Sequence, residues 1–507
     1  MSNFRIETIG IVGTGAMGRG IAQIAAQAGL TVNLFDANPA AVEAARQHLQ
    51  DTLEKLAAKG KITADDAAAT LARVKPCGKL EDLAPCDAVV EAIVERLDVK
   101  RDLVARLEAI LRPDAIIASN TSSLSITAIA VGAKQPGRVA GYHFFNPVPL
   151  MKVVEVIDGL SGDCAVGDAL MELSRRMGHT PVRCKDMPGF IVNHAGRGMN
   201  IEGLKVAQEG VAEYADIDDI MREQAGFRMG PFELMDLTGL DVSHPVMESI
   251  YNQFYQEPRY RPSPIAALRS VGGVIGRKAG AGFYSYPDGQ KTRPNPAAPA
   301  PAARPKSVWV SRSCEHGYAL VTNLLTKLGV TPETGALPSP DALIVVTPLG
   351  LDATTSALQE GLDATRTVAI DTLLPFEATK RRTVMTTPAT TAAAREAAHG
   401  LFASDGVPVT VIRDSAGFVA QRIVCAIVNI ASDIAQQRIA TPADIDLAVN
   451  LGLGYPKGPL ALGDAIGPQL VLQVLRNLET LTGDMRYRPS PWLWRRAGLG
   501  LSLLTED

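Results

Sequence analysis

Near the N-terminus an apolar run from Ile6 to Val12 breaks into glycines. The helical pattern IAQIAAQAG follows, and then a second apolar run, TVNLFD. Runs of this length around a glycine turn and a helix-period segment predict strand, turn, helix, strand. Further runs occur at DAVVEAI, AIIASN and RVAGYHF, separated by stretches such as DVKRDLVARLEAIL with helical spacing. This alternation predicts a doubly wound parallel sheet over residues 1–185. From Pro188 the pattern changes to a long amphipathic stretch, PGFIVNHAGRGMNIEGLKVAQEG, with little strand character as far as Tyr286. Residues 186–286 are therefore expected to form a helical domain.

Residues 287–306, PDGQKTRPNPAAPAPAARPK, carry Pro and Ala without a hydrophobic period and are expected to be an extended linker. Beyond them the chain repeats itself. DMPGF at Asp186 returns as DSAGF at Asp414, a shift of 228 residues, and ADID, MGPFEL/KGPLAL and Asp236/Asp464 keep that shift. Residues 414–507 are accordingly read as a second helical copy. Residues 307–413 are read as a degenerate copy of the first sheet domain, by pairing DALIVV at Asp341 with DAVVEA at Asp87 and VAIDT at Val368 with IIASNT at Ile116. In that pairing the glycine turn GTGAMG is replaced by SRSCEHG, and the polar segments TSS and HFFNP by TLL and MTTP, so a scaffold role is expected for this half.

A chain of 507 residues exceeds what one core can organise. Fifty Lys and Arg against 54 Asp and Glu give a net charge of -4, so no basic field favours nucleic acid or an anionic membrane. The six cysteines contain no C-x-x-C pair, which favours reduced core thiols and a cytoplasmic location over a disulfide frame or a metal site. No run of about 20 apolar residues and no export signal is evident, so no membrane association is expected.

The candidate chemistry begins at Gly13, Thr14, Gly15, Ala16, Met17 and Gly18, a G-x-G-x-x-G between a predicted strand and helix. Glycines there permit a tight turn and let a helix N-terminus approach a pyrophosphate. Asp36 ends the second predicted strand, where a carboxylate accepts hydrogen bonds from ribose hydroxyls and repels a 2′-phosphate, so NAD is expected rather than NADP. A second set, Ser122, His143, Glu155 and Asn193, places polar groups on apolar strands and strand ends. Individually each has a bland reading as a cap, a packed histidine or an ion pair of Glu155 with Lys152. Jointly they suit alcohol oxidation: imidazole, titrating near neutrality, can take the hydroxyl proton while a carboxylate fixes its tautomer.

The stretches GTGAMGRGIA, VEAIVERLDVK, ASNTSSLSIT, GYHFFNPVPLMKVVEVI, KDMPGFIVN and GPFELMDLTGLD jointly resemble the L-3-hydroxyacyl-CoA dehydrogenase family over residues 5–286. The resemblance implies an α/β Rossmann domain followed by an all-α domain, the second half being a degenerate repeat as in the longer bacterial members. It implies His143 as general base, Glu155 as its partner, Ser122 at the substrate oxygen and nicotinamide, and Asn193 as a positioning residue. It also implies Glu95, Lys100 and Lys278 near the cofactor. Thr52 and Lys59, with Lys55 and Lys61 nearby, become candidates for the nucleotide end of CoA. The implied reaction is NAD-dependent oxidation of a (S)-3-hydroxyacyl-CoA, in fatty-acid or phenylacetate-type catabolism or on 3-hydroxybutyryl-CoA. The resemblance leaves a homo-oligomer open, with an intrachain pseudo-dimer of the two helical copies. Arg197 and Arg228 are candidates to meet a dicarboxylic acyl group. Two competing readings are a β-hydroxyacid dehydrogenase using a lysine of its helical domain, and a non-catalytic NAD-binding protein.

Overall fold

The computed structural model describes residues 5–293 and 299–507. The first four residues and residues 294–298 of the expected linker lie outside that range. The chain divides into two compact units: one runs as far as His194 and also takes residues 437–453, and the other comprises 195–436 and 454–507.

The first unit is built on an eight-stranded sheet. Its strands are β1 (Thr8–Val12), β2 (Thr31–Phe35), β3 (Val74–Pro76), β4 (Ala88–Glu91), β5 (Ile116–Ser119), β6 (Val139–Phe144), β7 (Val153–Asp158) and β8 (Thr180–Lys185). The order across the sheet is β3-β2-β1-β4-β5-β6-β7-β8. All neighbours are parallel except β6 and β7. Strands covered on both faces need no polar side, which is why β4, β5 and β6 read as continuous apolar runs. In β6 the alternation sends Ala140, Tyr142 and Phe144 into the main core with Val154 and Val156 of β7. The side chains between them, including His143 and Glu155, therefore belong to the opposite face.

The helix Pro442–Leu453 packs on β7 and β8 within this unit. Just before it, the Ile439 carbonyl accepts a hydrogen bond from Lys185 N at 2.9 Å.

In the second unit, helix Arg197–Gln208 of the first helical copy lies against helix Val419–Gln436 of the second. Gly198 allows that approach, since a Cβ there would lie 2.8 Å from Ile427 Cα. Across the same contact the buried Arg422 guanidinium bonds Glu202 Oε1 at 2.7 Å, and the Tyr487 hydroxyl donates to the same oxygen at 2.8 Å. The unit also holds a five-stranded sheet of β9 (Val308–Val310), β10 (Leu343–Val346), β11 (Thr367–Ile370), β12 (Arg382–Thr386) and β13 (Val409–Ile412), in linear order.

That sheet corrects the expected pairing of the two halves. Only β11 and β12 are antiparallel in it, which matches β4 to β8 in order and direction, with β9 standing for β4. The 228-residue shift holds over β6 to β8 and β11 to β13, and at a shift one residue shorter DALIVV at Asp341 corresponds to DAIIAS at Asp114. VAIDT corresponds to the strand carrying His143. SRSCEHG is therefore no replacement for GTGAMG. Strands equivalent to β1, β2 and β3 are missing from this sheet, and with them the glycine turn. Apolar β-branched runs resemble one another when pairing partners are unknown, so likeness of sequence alone does not assign these strands.

The duplication is visible in matched polar anchors. Asp186 accepts from Ser125 Oγ, Ile126 N and Thr127 N at 2.7–3.0 Å, and Asp414 caps the helix Ala353–Gln359 through Ala353 N, Thr354 N and the Thr354 hydroxyl. Asp236 holds the returning segment at Phe283 N and Tyr284 N, both at 2.9 Å, as Asp464 holds Leu503 N at 2.8 Å.

Candidate active site

The glycine turn follows β1 and opens helix Ala16–Gln27. Gly13 has φ +97°, and a Cβ on it would lie 2.6 Å from the Ala92 carbonyl oxygen; a Cβ on Gly18 would meet the Gly13 oxygen at 1.9 Å. A Cβ on Gly15, by contrast, would meet nothing within 4 Å. The turn thus requires glycine on two sides for its own closure and leaves an open approach to the helix N-terminus, where no side chain caps the backbone. These features fit a dinucleotide pyrophosphate. A cavity of about 410 Å³ adjoins the turn, lined by Thr14, Asp36, Leu80, Ile93 and Val99 among others.

Asp36 lies at the end of β2. Its Oδ2 accepts from Thr14 N and Thr14 Oγ1 at 2.8 and 2.9 Å, and its Oδ1 from Asn38 N at 3.0 Å. Burial raises this carboxyl, but the hydrogen bonds from Asn38 and Thr14 outweigh it and hold the group below its ordinary range.

His143 and Glu155 stand directly opposite each other on antiparallel β6 and β7. His143 Nδ1 lies 2.6 Å from Glu155 Oε2. Glu155 is fully buried, and its other oxygen accepts from Ile191 N at 2.9 Å and Val192 N at 2.8 Å. With Glu155 offering only acceptors to the ring, Nδ1 carries the hydrogen and Nε2 is the acceptor. Phe145 and Phe190 wall the imidazole, with ring centroids 4.4 and 5.9 Å away.

Asn193 follows Val192, whose N–H holds Glu155, and reaches the loop that carries Ser122. Asn193 Nδ2 donates to the Ser122 carbonyl at 3.4 Å. The Ser122 loop is organised by Glu95, whose Oε1 accepts from Thr121 Oγ1 at 2.6 Å, Ser122 N at 3.0 Å and Ser123 N at 3.2 Å. Burial raises the Glu95 carboxyl, but the Thr121 hydroxyl, the Lys100 charge and the bonds from Ser123 and Ser122 bring it below its usual range.

Lys100 lies 99% out of solvent contact, with Nζ at 2.9 and 2.8 Å from the two oxygens of Glu91 and 3.4 Å from Glu95. Its charge is thus matched inside the fold. Glu91, fully buried, was missed from sequence, as was Ser119, whose hydroxyl also donates to Glu91. The signal was a carboxylate closing the apolar run AVVE, which demands a buried cation. Lys278 is half-exposed and paired with Asp241 at 2.6 Å in the second unit. Thr52, on helix Pro39–Ala58, donates to the His48 carbonyl at 2.8 Å, and Lys59 follows that helix on its exposed side. Arg197 is buried, which lowers its guanidinium to about 10, whereas Arg228 is exposed. Among the described residues no cluster of His, Cys, Asp and Glu could hold a metal ion, and no helix is long and apolar enough to cross a membrane.

Residues 8–187 match the family model described as 3-hydroxyacyl-CoA dehydrogenase, NAD binding domain. Residues 189–286 and again 417–502 match its C-terminal domain. The chain is 36% identical over 492 residues to a 3-hydroxyadipyl-CoA dehydrogenase of Escherichia coli K12, covering 97% of this chain and 98% of the relative. It is 42% identical over 277 residues to a probable 3-hydroxybutyryl-CoA dehydrogenase of Deinococcus radiodurans, covering 55% of this chain and 99% of that one. A crystal structure of 3-hydroxybutyryl-CoA dehydrogenase from Escherichia coli K12 superposes with a TM-score of 0.85 at 35% identity, covering 98% and 99% of the two chains. With its binding turn, its histidine-carboxylate pair and both copies of its helical domain accounted for, the chain belongs to the 3-hydroxyacyl-CoA dehydrogenase family.

Proposed function

We propose that the protein oxidises the 3-hydroxyl of an acyl-CoA to the 3-oxo compound, reversibly, with NAD. The observation that carries this is the His143–Glu155 pair, 2.6 Å apart and facing each other across two strands. NAD, when bound at the Gly13–Gly18 turn, supplies the hydride acceptor. His143 Nε2 takes the hydroxyl proton, and Glu155 holds the ring and balances the imidazolium that forms. Ser122 and Asn193 orient the substrate oxygen. Glu95 and Lys100 serve the cofactor side, and Thr52 and Lys59 serve the CoA nucleotide.

The named activities of the relatives support a short or dicarboxylic acyl group, 3-hydroxybutyryl or 3-hydroxyadipyl. Acyl-CoA breakdown in the cytoplasm is the setting that fits such a substrate. The division at 185, 286, 306 and 413 remains our reading of the domains. The two helical copies are taken to pair as the helical domains of two subunits would. Their contact through Gly198, Glu202 and Arg422 supports this. So does a matched pair of backbone bonds: Lys185 N to Ile439 O at 2.9 Å, and, 228 residues on, Arg413 N to Val211 O at 3.0 Å. In each, a sheet is joined to the helical copy of the other half.

Loss of NADH absorbance with acetoacetyl-CoA tests the activity. Turnover is expected, and a chain that binds NADH without reducing any 3-oxoacyl-CoA from four to eight carbons or 3-oxoadipyl-CoA would overturn it.

A further inference from the structure

The second half preserves the outline of the reaction centre with its chemistry exchanged. At the 228-residue shift, His143, Glu155 and Asn193 correspond to Asp371, Thr383 and Gln421. The strand register agrees: Asp371 N donates to Thr383 O at 3.0 Å beside the pair Ile370 and Val384. Asp371 and Thr383 are too short to meet as His143 and Glu155 do. Gln224 fills the gap, its Nε2 2.8 Å from Asp371 Oδ2 and its Oε1 accepting from Thr383 Oγ1 at 2.6 Å. Gln421 closes the other side, with Nε2 2.9 Å from Asp371 Oδ1 and Oε1 accepting from Gly350 N at 2.8 Å. All four side chains are buried, so this centre is sealed.

The residue standing where Gln224 stands, but for the first half, is Gly452. It lies near the end of helix Pro442–Leu453, supplied by the second helical copy and packed on β7 and β8. A Cβ at 452 would lie 3.0 Å from both Val192 methyls and 3.5 Å from a Val153 methyl. Val192 is the residue whose N–H holds Glu155. The two centres thus divide similar space differently: a large pair with glycine behind it in one, a small pair with glutamine behind it in the other.

We infer that Gly452 is a positioning residue of the dehydrogenase centre. Its missing side chain lets helix 442–453 back Val192 closely while leaving the His143–Glu155 pair free of an intruding amide. The C-terminal half then completes the reaction centre of the first half instead of carrying a second one. This inference rests on the proposed dehydrogenase activity.

Gly452→Gln, Gly452→Ala and Gly452→Ala/Val192→Ala, all in the full chain, test it. Displacement of a reacting group by about 1 Å can cost 100-fold. Gly452→Gln is expected to lower kcat with acetoacetyl-CoA by about 100-fold, and Gly452→Ala by about 10-fold, with KM for NADH within about twofold. Trimming Val192 in the double variant removes the crowding and is expected to recover most of the alanine variant's loss. Wild-type kcat in both single variants would overturn the inference. So would a loss shared equally by kcat and NADH affinity, or one that Val192→Ala leaves unrelieved. A wild-type chain inactive on every 3-oxoacyl-CoA would instead fail the dehydrogenase reading itself.

Discussion

His143 and Glu155 face each other in one antiparallel register, with Nδ1 and Oε2 2.6 Å apart, and Glu155 is held from behind by the amides of Ile191 and Val192. The ring is oriented by a rigid sheet instead of a loop. Removing the proton acceptor in His143→Gln is expected to lower kcat by about 100- to 10,000-fold, the usual scale of general base catalysis. NADH affinity, measured by fluorescence titration, should stay close to wild type, because the cofactor turn lies on β1 and β2. Glu155→Gln should also lower kcat, since a neutral amide no longer balances the imidazolium. Wild-type turnover in His143→Gln would remove the base assignment, and wild-type turnover in Glu155→Gln would remove the role given to its carboxylate.

Asp36 governs which dinucleotide enters. Its carboxylate is fixed by Thr14 and Asn38 beside the glycine turn and lines the cavity there. A 2′-phosphate brought to this position meets a fixed negative charge. Asp36→Ala should therefore raise the ratio of kcat/KM for NADPH to that for NADH by at least about tenfold, since 1.4 kcal/mol of relieved repulsion is one decade. An unchanged ratio in steady-state assays would show that another group sets the preference.

Much of this centre was legible from sequence because its residues interrupt apolar strands. A histidine inside VAGYHF and a glutamate inside VVEVI break a pattern that burial otherwise enforces, and period-two alternation puts them on one face. Glu91 broke a strand in the same way but was passed over, because its partner Lys100 lies on the helix after the strand and looks solvated on a helical wheel. The second sheet was harder. With no counterparts of β1 to β3 in it, its short apolar runs pair with the wrong strands by likeness alone, and strand order and direction agree with the 228-residue shift that sets Asp371 against His143. That helix 442–453 backs the first sheet is not legible in the sequence, because contacts between distant repeats leave no periodic trace.

Glu95 ties acid stability to the Ser122 loop. It accepts from Thr121, Ser122 and Ser123, and these bonds with the Lys100 charge depress it below the ordinary value of 4.5 despite burial. A carboxylate lowered on folding contributes stability that is present above its unfolded value and lost as pH falls through the folded one. Glu95→Gln should accordingly melt at a lower temperature than wild type at pH 7, and the difference should shrink as pH drops below about 4.5. Thermal melts across pH 7 to 3.5 decide it. A gap that stays constant with pH would mean that the loop is held by shape rather than by this charge.

The contact between the helical copies offers the sharpest test of whether they act as one body. Arg422 is 1% exposed and bonds Glu202, Glu209, Ser415 and the Tyr487 hydroxyl. Removing one partner of a buried ion pair strands the other charge and costs about 3–5 kcal/mol, whereas replacing both with apolar groups can be nearly neutral. Arg422→Met should lower the urea midpoint strongly, and Arg422→Met/Glu202→Leu should recover part of the loss. Glu209 is exposed and keeps Lys205 at 3.2 Å, whereas buried Glu202 keeps Arg486 at the longer 3.7 Å, so Glu202 carries the larger share of the penalty. If the contact is a working interface, the single variant should lose acetoacetyl-CoA turnover at urea concentrations where wild type is fully active, because the helical copies would part before the first sheet unfolds. A single variant as resistant as wild type would show that the guanidinium is spectator to an apolar contact made by Gly198 and Ile427.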